Sequence, residues 1–285
     1  MGTERALVLG GGGLAGIAWQ TGILYGLAEA GVDLAGAGVS GVDVSGPDLV
    51  VGTSAGSAVG AQLGSGLPLA ELFERQADPA RQSAELSPTG MPLDQLILTL
   101  EKLAEEVLDP AEKHRRVGAL ALAATTRTEA DRRAVIEARL PSHEWPGWPL
   151  WVVAVDVHTG AHVVFDRDSG VGLVDAVAAS CAVPGVWPPV TIGGSRYMDG
   201  GVRASTNVDL ARDYGRVLVI APMVEPGFDD QLAELTGRVQ VIQPDDDSLA
   251  AFGTDVLDPA VRTPAALAGR SQGRRAATEI SALWR

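Results

Sequence analysis

The chain has 285 residues, 46% apolar and 20% charged, which is enough for one large buried core and unlike a disordered tract. With 22 Lys and Arg against 36 Asp and Glu, the formal charge is −14. That charge opposes nucleic acid and anionic membranes as long-range partners, while leaving room for transient contact with a lipid surface through an apolar patch. The single cysteine, Cys181, excludes an intrachain disulfide and a cysteine metal cluster.

Residues 5–9 read as a short apolar strand. Met1 to Arg5 lead into it without the apolar core of a secretion signal, and no apolar run reaches the roughly eighteen residues of a membrane span. A soluble, cytoplasmic protein is expected. Gly10-Gly11-Gly12-Gly13-Leu14-Ala15-Gly16 follows. A helix then runs to about residue 30, with Ile17, Gln20, Ile23, Leu24, Leu27 and Ala28 at helical spacing and Gly31 as its stop. Strand, glycine-rich turn and helix N-terminus together turn backbone N–H groups toward an anion.

Three readings fit that turn. Gly11-x-Gly13-x-x-Gly16 matches the dinucleotide fingerprint, with Asp33 near the distance of the ribose-binding acid, although the residues around Asp33 are poor strand material. The turn also fits a purely structural role. The third reading is an oxyanion hole, with the N–H groups of Gly11, Gly12, Gly13 and Leu14 aimed at a tetrahedral intermediate.

Residues 36–46 read as a small-residue loop, and Pro47-Asp48 open a second strand, Leu49-Val50-Val51. It runs into Gly52-Thr53-Ser54-Ala55-Gly56 and a small-residue helix over 57–63. Strand, G-x-S-x-G and helix is the setting that holds a serine at the tip of a strained turn. Gly52 and Gly56 are expected to let the backbone bend and to keep the approach to the hydroxyl open. Ser54 is the candidate nucleophile. In a chain with 35 glycines, the competing reading is an ordinary strand–helix turn.

Residues 67–81 read as a helix entered through Pro68. Residues 85–150 form a looser, cap-like helical insert in what is otherwise one domain over 1–285. Within it, Leu93, Leu96, Ile97, Leu100, Leu103, Val107 and Leu108 make an amphipathic helix, and residues 111–140 make a second helical stretch. Trp145 and Trp148 lie in the proline-rich turn that closes it. Packing on the sheet is the expected role, and a lid over an acyl pocket is the alternative.

Residues 151–157 and 162–165 pair as a hairpin around His158-Thr159-Gly160-Ala161. A small-residue helix over 171–181 leads to strand-like segments at 191–192 and 195–198, which deliver Asp199-Gly200-Gly201. Further strands at 216–221 and 240–242 precede a packing helix over 269–285. The alternation predicts an α/β three-layer sandwich, with a largely parallel central sheet and helices on both faces. Asp245-Asp246-Asp247 reads as a solvated helix start, and Arg270, Arg274 and Arg275 as surface charges. No metal or other cofactor is expected.

What would activate Ser54 is open at this level. His114, His143, His158 and His162 all precede Asp199. A triad in the order Ser, Asp, His therefore needs Asp109, Asp131 or Asp156 with His158 or His162. Asp199 can project a carboxylate from a tight turn, and it equally fits plain turn chemistry.

Taken together and in this order, Gly11-x-Gly13-x-x-Gly16, Gly52-Thr53-Ser54-Ala55-Gly56 and Asp199-Gly200-Gly201 resemble the patatin-like phospholipases. Residues 178–190 (AASCAVPGVWPPV) and the hairpin over 156–165 strengthen the resemblance, which spans residues 7–220. It implies a serine acyl hydrolase acting on carboxylic esters of lipids or on small esters. A Ser54–Asp199 dyad would do the work: Ser54 attacks the carbonyl, and Asp199 takes its proton and later activates the water that releases the acyl-enzyme. Gly11, Gly12, Gly13 and Leu14 become the oxyanion loop, with Gly16, Gly52, Ala55, Gly56, Gly200 and Gly201 shaping the turns. An Asp with a pKa near 3.9 is a feeble base, so the site has to desolvate it and stabilise the oxyanion with N–H dipoles.

Two positions depart from the family pattern. Ala15 stands where the family commonly carries Arg or Lys. Asn207 is followed by Val208 and Asp209 where the family often has Asn-x-Pro, and it is read as support for the turn. A non-catalytic acyl-lipid-binding protein and a nucleotide-binding reductase are the alternative readings.

Overall fold

In the computed structural model, residues 4–34 and 46–284 are described. Apart from Gly46, the loop expected over 36–46 lies outside them. Strand β1 (Arg5–Leu9) is followed by α1 (Gly13–Glu29), β2 (Leu49–Thr53), α2 (Ala55–Leu63) and α3 (Leu69–Ala77). The insert carries α4 (Leu93–Glu106), α5 (Pro110–Ala123) and α6 (Glu129–Arg139). The hairpin is β3 (Leu150–Asp156) with β4 (His162–Phe165), and α7 (Leu173–Ser180) leads to β5 (Val190–Ile192) and β6 (Ser195–Asp199). The chain continues through β7 (Arg216–Ile220), α8 (Phe228–Ala233), β8 (Arg238–Ile242), α9 (Asp246–Phe252) and α10 (Arg262–Trp284).

The central strands are apolar throughout because both of their faces are covered. Leu7, Leu9, Val50, Leu218 and Ile220 share one core with α1, α2, α7 and α10. Ala6, Val8, Leu49, Val51, Val217 and Val219 point the other way, toward Phe228 and a short 3-10 turn over Val208–Ala211. The result is the expected α/β sandwich, but an uneven one, with most of the helix mass on the first face. There α1 and α10 meet on glycines. A methyl on Gly22 would lie 2.2 Å from the Ala266 carbonyl oxygen, and one on Gly269 would lie 2.3 Å from that of Trp19.

Three helix boundaries differ from the expected ones, the first being that of α3, which stops at Ala77 and not at 81. Residues 111–140 are not one stretch: α5 ends before an extended Ala124, and Thr128 restarts the chain as α6 by accepting a bond from the Asp131 N–H at 3.1 Å. A β-branched capping residue wins over the Ala- and Arg-rich propensity around it. The last helix begins at Arg262, earlier than the expected 269. Pro264 falls in its first turn, where a missing N–H costs nothing. Among the described residues, no helix is long and apolar enough to cross a membrane.

The register decides what meets what. β2 lies parallel to β3 along residues 150–153, with Thr53 opposite Val153. β4 pairs with β3 along residues 152–155, so it takes the opposite edge. β6 pairs antiparallel with residues 154–156, with Asp199 opposite Ala154. Because β4 already occupies the far edge at Ala154 and Val155, β6 lies on the same edge as β2, just beyond its end. The two strands run toward each other and stop at neighbouring positions of β3. One delivers Ser54 and the other Asp199.

Candidate active site

Ser54 sits between the last residue of β2 and the first of α2, at φ 51° and ψ −115°. A non-glycine residue in that region is strained and has to be held there. Its N–H donates to Ser180 Oγ at 2.9 Å, and its carbonyl accepts from Ser57 Oγ at 2.7 Å and Cys181 Sγ at 3.2 Å. The flanking glycines do not supply the bend, contrary to expectation, since neither has a positive φ. They supply close approach. A methyl on Gly52 would lie 2.6 Å from Ser57 Cα, and one on Gly56 would lie 1.9 Å from the Leu9 carbonyl oxygen. Gly56→Ala is therefore expected to destabilise the protein by about 3 kcal/mol or more, read as a lowered midpoint in thermal or urea unfolding.

The glycine loop runs from the end of β1 into α1 beside Ser54. Gln20, fully buried, holds it by donating to the carbonyls of Gly10 at 3.0 Å and Gly16 at 3.1 Å. Gly13 has φ 62°, and a Cβ there would lie 2.8 Å from the Val256 carbonyl oxygen. One expected donor drops out. The Gly11 N–H is bound to the Ser205 carbonyl at 2.8 Å, so it cannot serve an oxyanion. Among the described residues, the N–H groups of Gly12, Gly13 and Leu14 keep no such partner, and Ala15 donates to Val256.

Asp199 is buried, with 5% of its surface exposed. Its Oδ1 accepts the Gly201 N–H at 2.8 Å, which fixes the carboxylate across the turn. Gly200 lets that turn press on β3: a Cβ there would lie 2.4 Å from the Val153 carbonyl oxygen. Oδ2 is shielded from solvent and makes no closed hydrogen bond. Burial pushes the carboxyl up to about 6, against the opposing pull of the Gly201 N–H, the Ser54 hydroxyl and the Arg132 charge. Asn207 supports the turn as expected. Fully buried and at φ 51°, it donates from Nδ2 to Thr53 Oγ1 at 3.0 Å, to the Gly200 carbonyl at 3.3 Å and to the Ala204 carbonyl at 2.8 Å. It thereby ties the end of β2 to the aspartate turn.

The histidines lie elsewhere. His158 and His162 are exposed at the two ends of the β3–β4 turn, His143 bonds the Glu137 carbonyl, and His114 bonds that of Gly160. Of the acids a triad would need, Asp109 caps α5, Asp156 braces its own turn through the His158 and Thr159 N–H groups, and Asp131 is exposed in the first turn of α6. Asp33 lies just past the turn that follows α1 and is not at a strand end, which removes the structural context of the dinucleotide fingerprint.

Gly13, Leu14, Ser54, Trp187 and Leu257 line a narrow cavity of about 30 Å³. The insert closes it with residues that no sequence pattern singles out: Glu85, Arg132 and Arg139. Arg139 donates to both carboxylate oxygens of Glu85, at 3.0 and 2.9 Å. Arg132 stacks 4.0 Å above the Trp187 ring. In the sequence, both arginines look like any others on a charged helix, and only α6 docking over the sheet edge brings them inward. Ser180 and Cys181 belong to the segment 178–190 that carries part of the resemblance.

A strained serine beside unused backbone donors is the architecture of a hydrolase. The family model described as patatin-like phospholipase matches residues 7–212. The chain belongs to the patatin-like phospholipase family and is, in broad terms, a lipid acyl hydrolase. Two solved structures are similar in part. VipD from Legionella pneumophila is 13% identical with a TM-score of 0.49, over 97% of this chain and 67% of that one. The type III effector protein ExoU is 19% identical with a TM-score of 0.36, over 95% of this chain and 53% of that one.

Proposed function

We propose that the protein cleaves carboxylic esters of lipids, as a phospholipase A does, through a Ser54–Asp199 dyad and an acyl-enzyme. The observation that carries this reading is the buried Asp199 carboxylate, which interacts with the Ser54 hydroxyl and whose Oδ2 makes no closed hydrogen bond. A carboxylate robbed of water is a stronger base, and a serine already at the tip of its turn needs little rearrangement to attack. Ser54 Oγ bonds to the ester carbonyl carbon as its proton passes to Asp199 Oδ2. The Gly12, Gly13 and Leu14 N–H groups receive the negative oxygen. Collapse expels the alcohol with that proton, and a water activated by the same carboxylate releases the fatty acid.

A cavity of about 30 Å³ holds water and not an acyl chain, so its lining has to open for substrate to enter. Ile97, Leu98 and Leu108, at 43%, 57% and 90% exposure, are the apolar side chains by which the insert would meet a lipid surface. The negative protein favours zwitterionic over anionic vesicles.

A fluorophosphonate probe tests the dyad's serine: wild type is labelled on Ser54 and Ser54→Ala is not. A folded wild type that resists labelling would return the site to lipid binding without turnover. The base has its own signature. Asp199 has to be ionised to accept a proton, so kcat/KM is expected to fall tenfold per pH unit below about 6 and to level off above it. A profile without that limb between pH 4 and 8 would remove Asp199 as the base.

A further inference from the structure

Arg132 is a buried cation without a fitting anion. Its side chain is 6% exposed, and its Nε has no hydrogen-bond partner. The nearest carboxylate, Glu85, stands 3.9 Å from Nη1 and is already committed to Arg139. A guanidinium removed from water and left short of partners costs free energy that packing on Trp187 alone does not repay. It lines the same cavity as Ser54, Gly13 and Leu14, whereas Asp199 lies outside that lining. The glycine loop carries no positive charge of its own, since Ala15 is a fully buried methyl.

The charge movement during attack gives this cation a use. Before the reaction, the negative charge is on Asp199, behind the serine. As Oγ bonds to the carbonyl carbon, the proton moves to Asp199 Oδ2 and the carbonyl π pair moves onto oxygen. The negative charge thereby leaves the carboxylate and appears in the cavity, on the side of the Gly13 and Leu14 N–H groups. Arg132 already feels the Asp199 charge before attack, but it lines the cavity into which that charge moves.

We propose that Arg132, carried into the site by the insert helix α6, is a catalytic residue that stabilises the oxyanion together with the Gly12, Gly13 and Leu14 N–H groups. The proposal rests on Ser54 being the nucleophile. It also makes the insert part of the active site as well as its cover, because catalytic power depends on α6 being docked.

The test is hydrolysis of a neutral p-nitrophenyl ester and of an anionic phospholipid by wild type, Arg132→Met, Arg132→Lys and Arg132→Ala. Arg132→Met keeps an apolar stem on Trp187 and is expected to lose about 10²–10³-fold in kcat on both substrates. Arg132→Lys, which keeps the charge without the fork, falls between Met and wild type. Guanidinium at sub-denaturing concentration is expected to raise the rate of Arg132→Ala at least tenfold, and urea, neutral and of similar shape, is not. Full activity of Arg132→Met overturns the proposal, as does rescue by urea as effective as rescue by guanidinium. A loss confined to the anionic substrate also overturns it, by making Arg132 a substrate-binding group. A wild type that neither hydrolyses esters nor is labelled on Ser54 removes the underlying reading, and this proposal with it.

Discussion

Ser54→Ala is expected to lower kcat by about 10⁶-fold, the scale at which a lone nucleophile is lost from a serine hydrolase. The fold should survive, because alanine keeps the Cβ and the hydroxyl makes no bond that holds the turn. What holds it is main chain: Ser180 Oγ on the Ser54 N–H, and Ser57 Oγ and Cys181 Sγ on its carbonyl. Alanine inherits the strain of φ 51°, whereas glycine would relieve it. Ser54→Gly should therefore be as inactive as Ser54→Ala but more stable by about 1 kcal/mol, read from urea midpoints at equal m. Equal midpoints would mean that the elbow stores no strain.

Asp199→Asn is expected to cost about 10⁴ in kcat, because an amide accepts no proton and no histidine stands nearby to replace it. Its effect on stability has the opposite sign. The folded-state carboxyl is raised from 3.8 to about 6, so at low pH, where both states hold the proton, Asp199 costs the fold nothing. As pH rises from about 4 to about 6 the unfolded chain gives up this proton while the folded state keeps it, and stability on the order of 2–3 kcal/mol is lost. The variant has no such loss. Its melting temperature should match wild type near pH 4 and exceed it at pH 8. A variant less stable than wild type at both pH values would show that the carboxylate is structural.

These two substitutions act on residues that local sequence chemistry already marks as candidates. The G-x-S-x-G block follows an apolar strand, and Asp199 precedes two glycines in a turn. The reason for the glycines is not legible in the same way. A sequence shows that Gly52 and Gly56 flank a serine, but not that the Leu9 carbonyl lies where a Gly56 side chain would go. The assignment of Gly11 as a donor fails for a similar reason. Its N–H is taken by Ser205, nearly two hundred positions away in the chain, and no local pattern records that bond.

The insert divides the same way. Its amphipathic helix over Leu93–Glu106 is written in its spacing, yet Leu96 alone of that helix is fully buried, with Leu93 and Leu100 packed partly around it. The break at Thr128 is a contest between capping chemistry and helix propensity that the local sequence leaves nearly balanced. Docking of α6 resolves it, and also turns Arg132 inward.

By itself, the sequence determined the strand–turn–helix units, the small-residue helices and the identity of a nucleophile candidate, because these follow from local sterics and periodicity. Only the tertiary structure decided which groups are free to act. Two strands converging on one edge of β3 bring Ser54 to Asp199, burial sets the basicity of the carboxylate, and distant carbonyls leave some loop N–H groups unbound and not others. Those are properties of contacts between residues far apart in the chain, and they exist only once the core has closed.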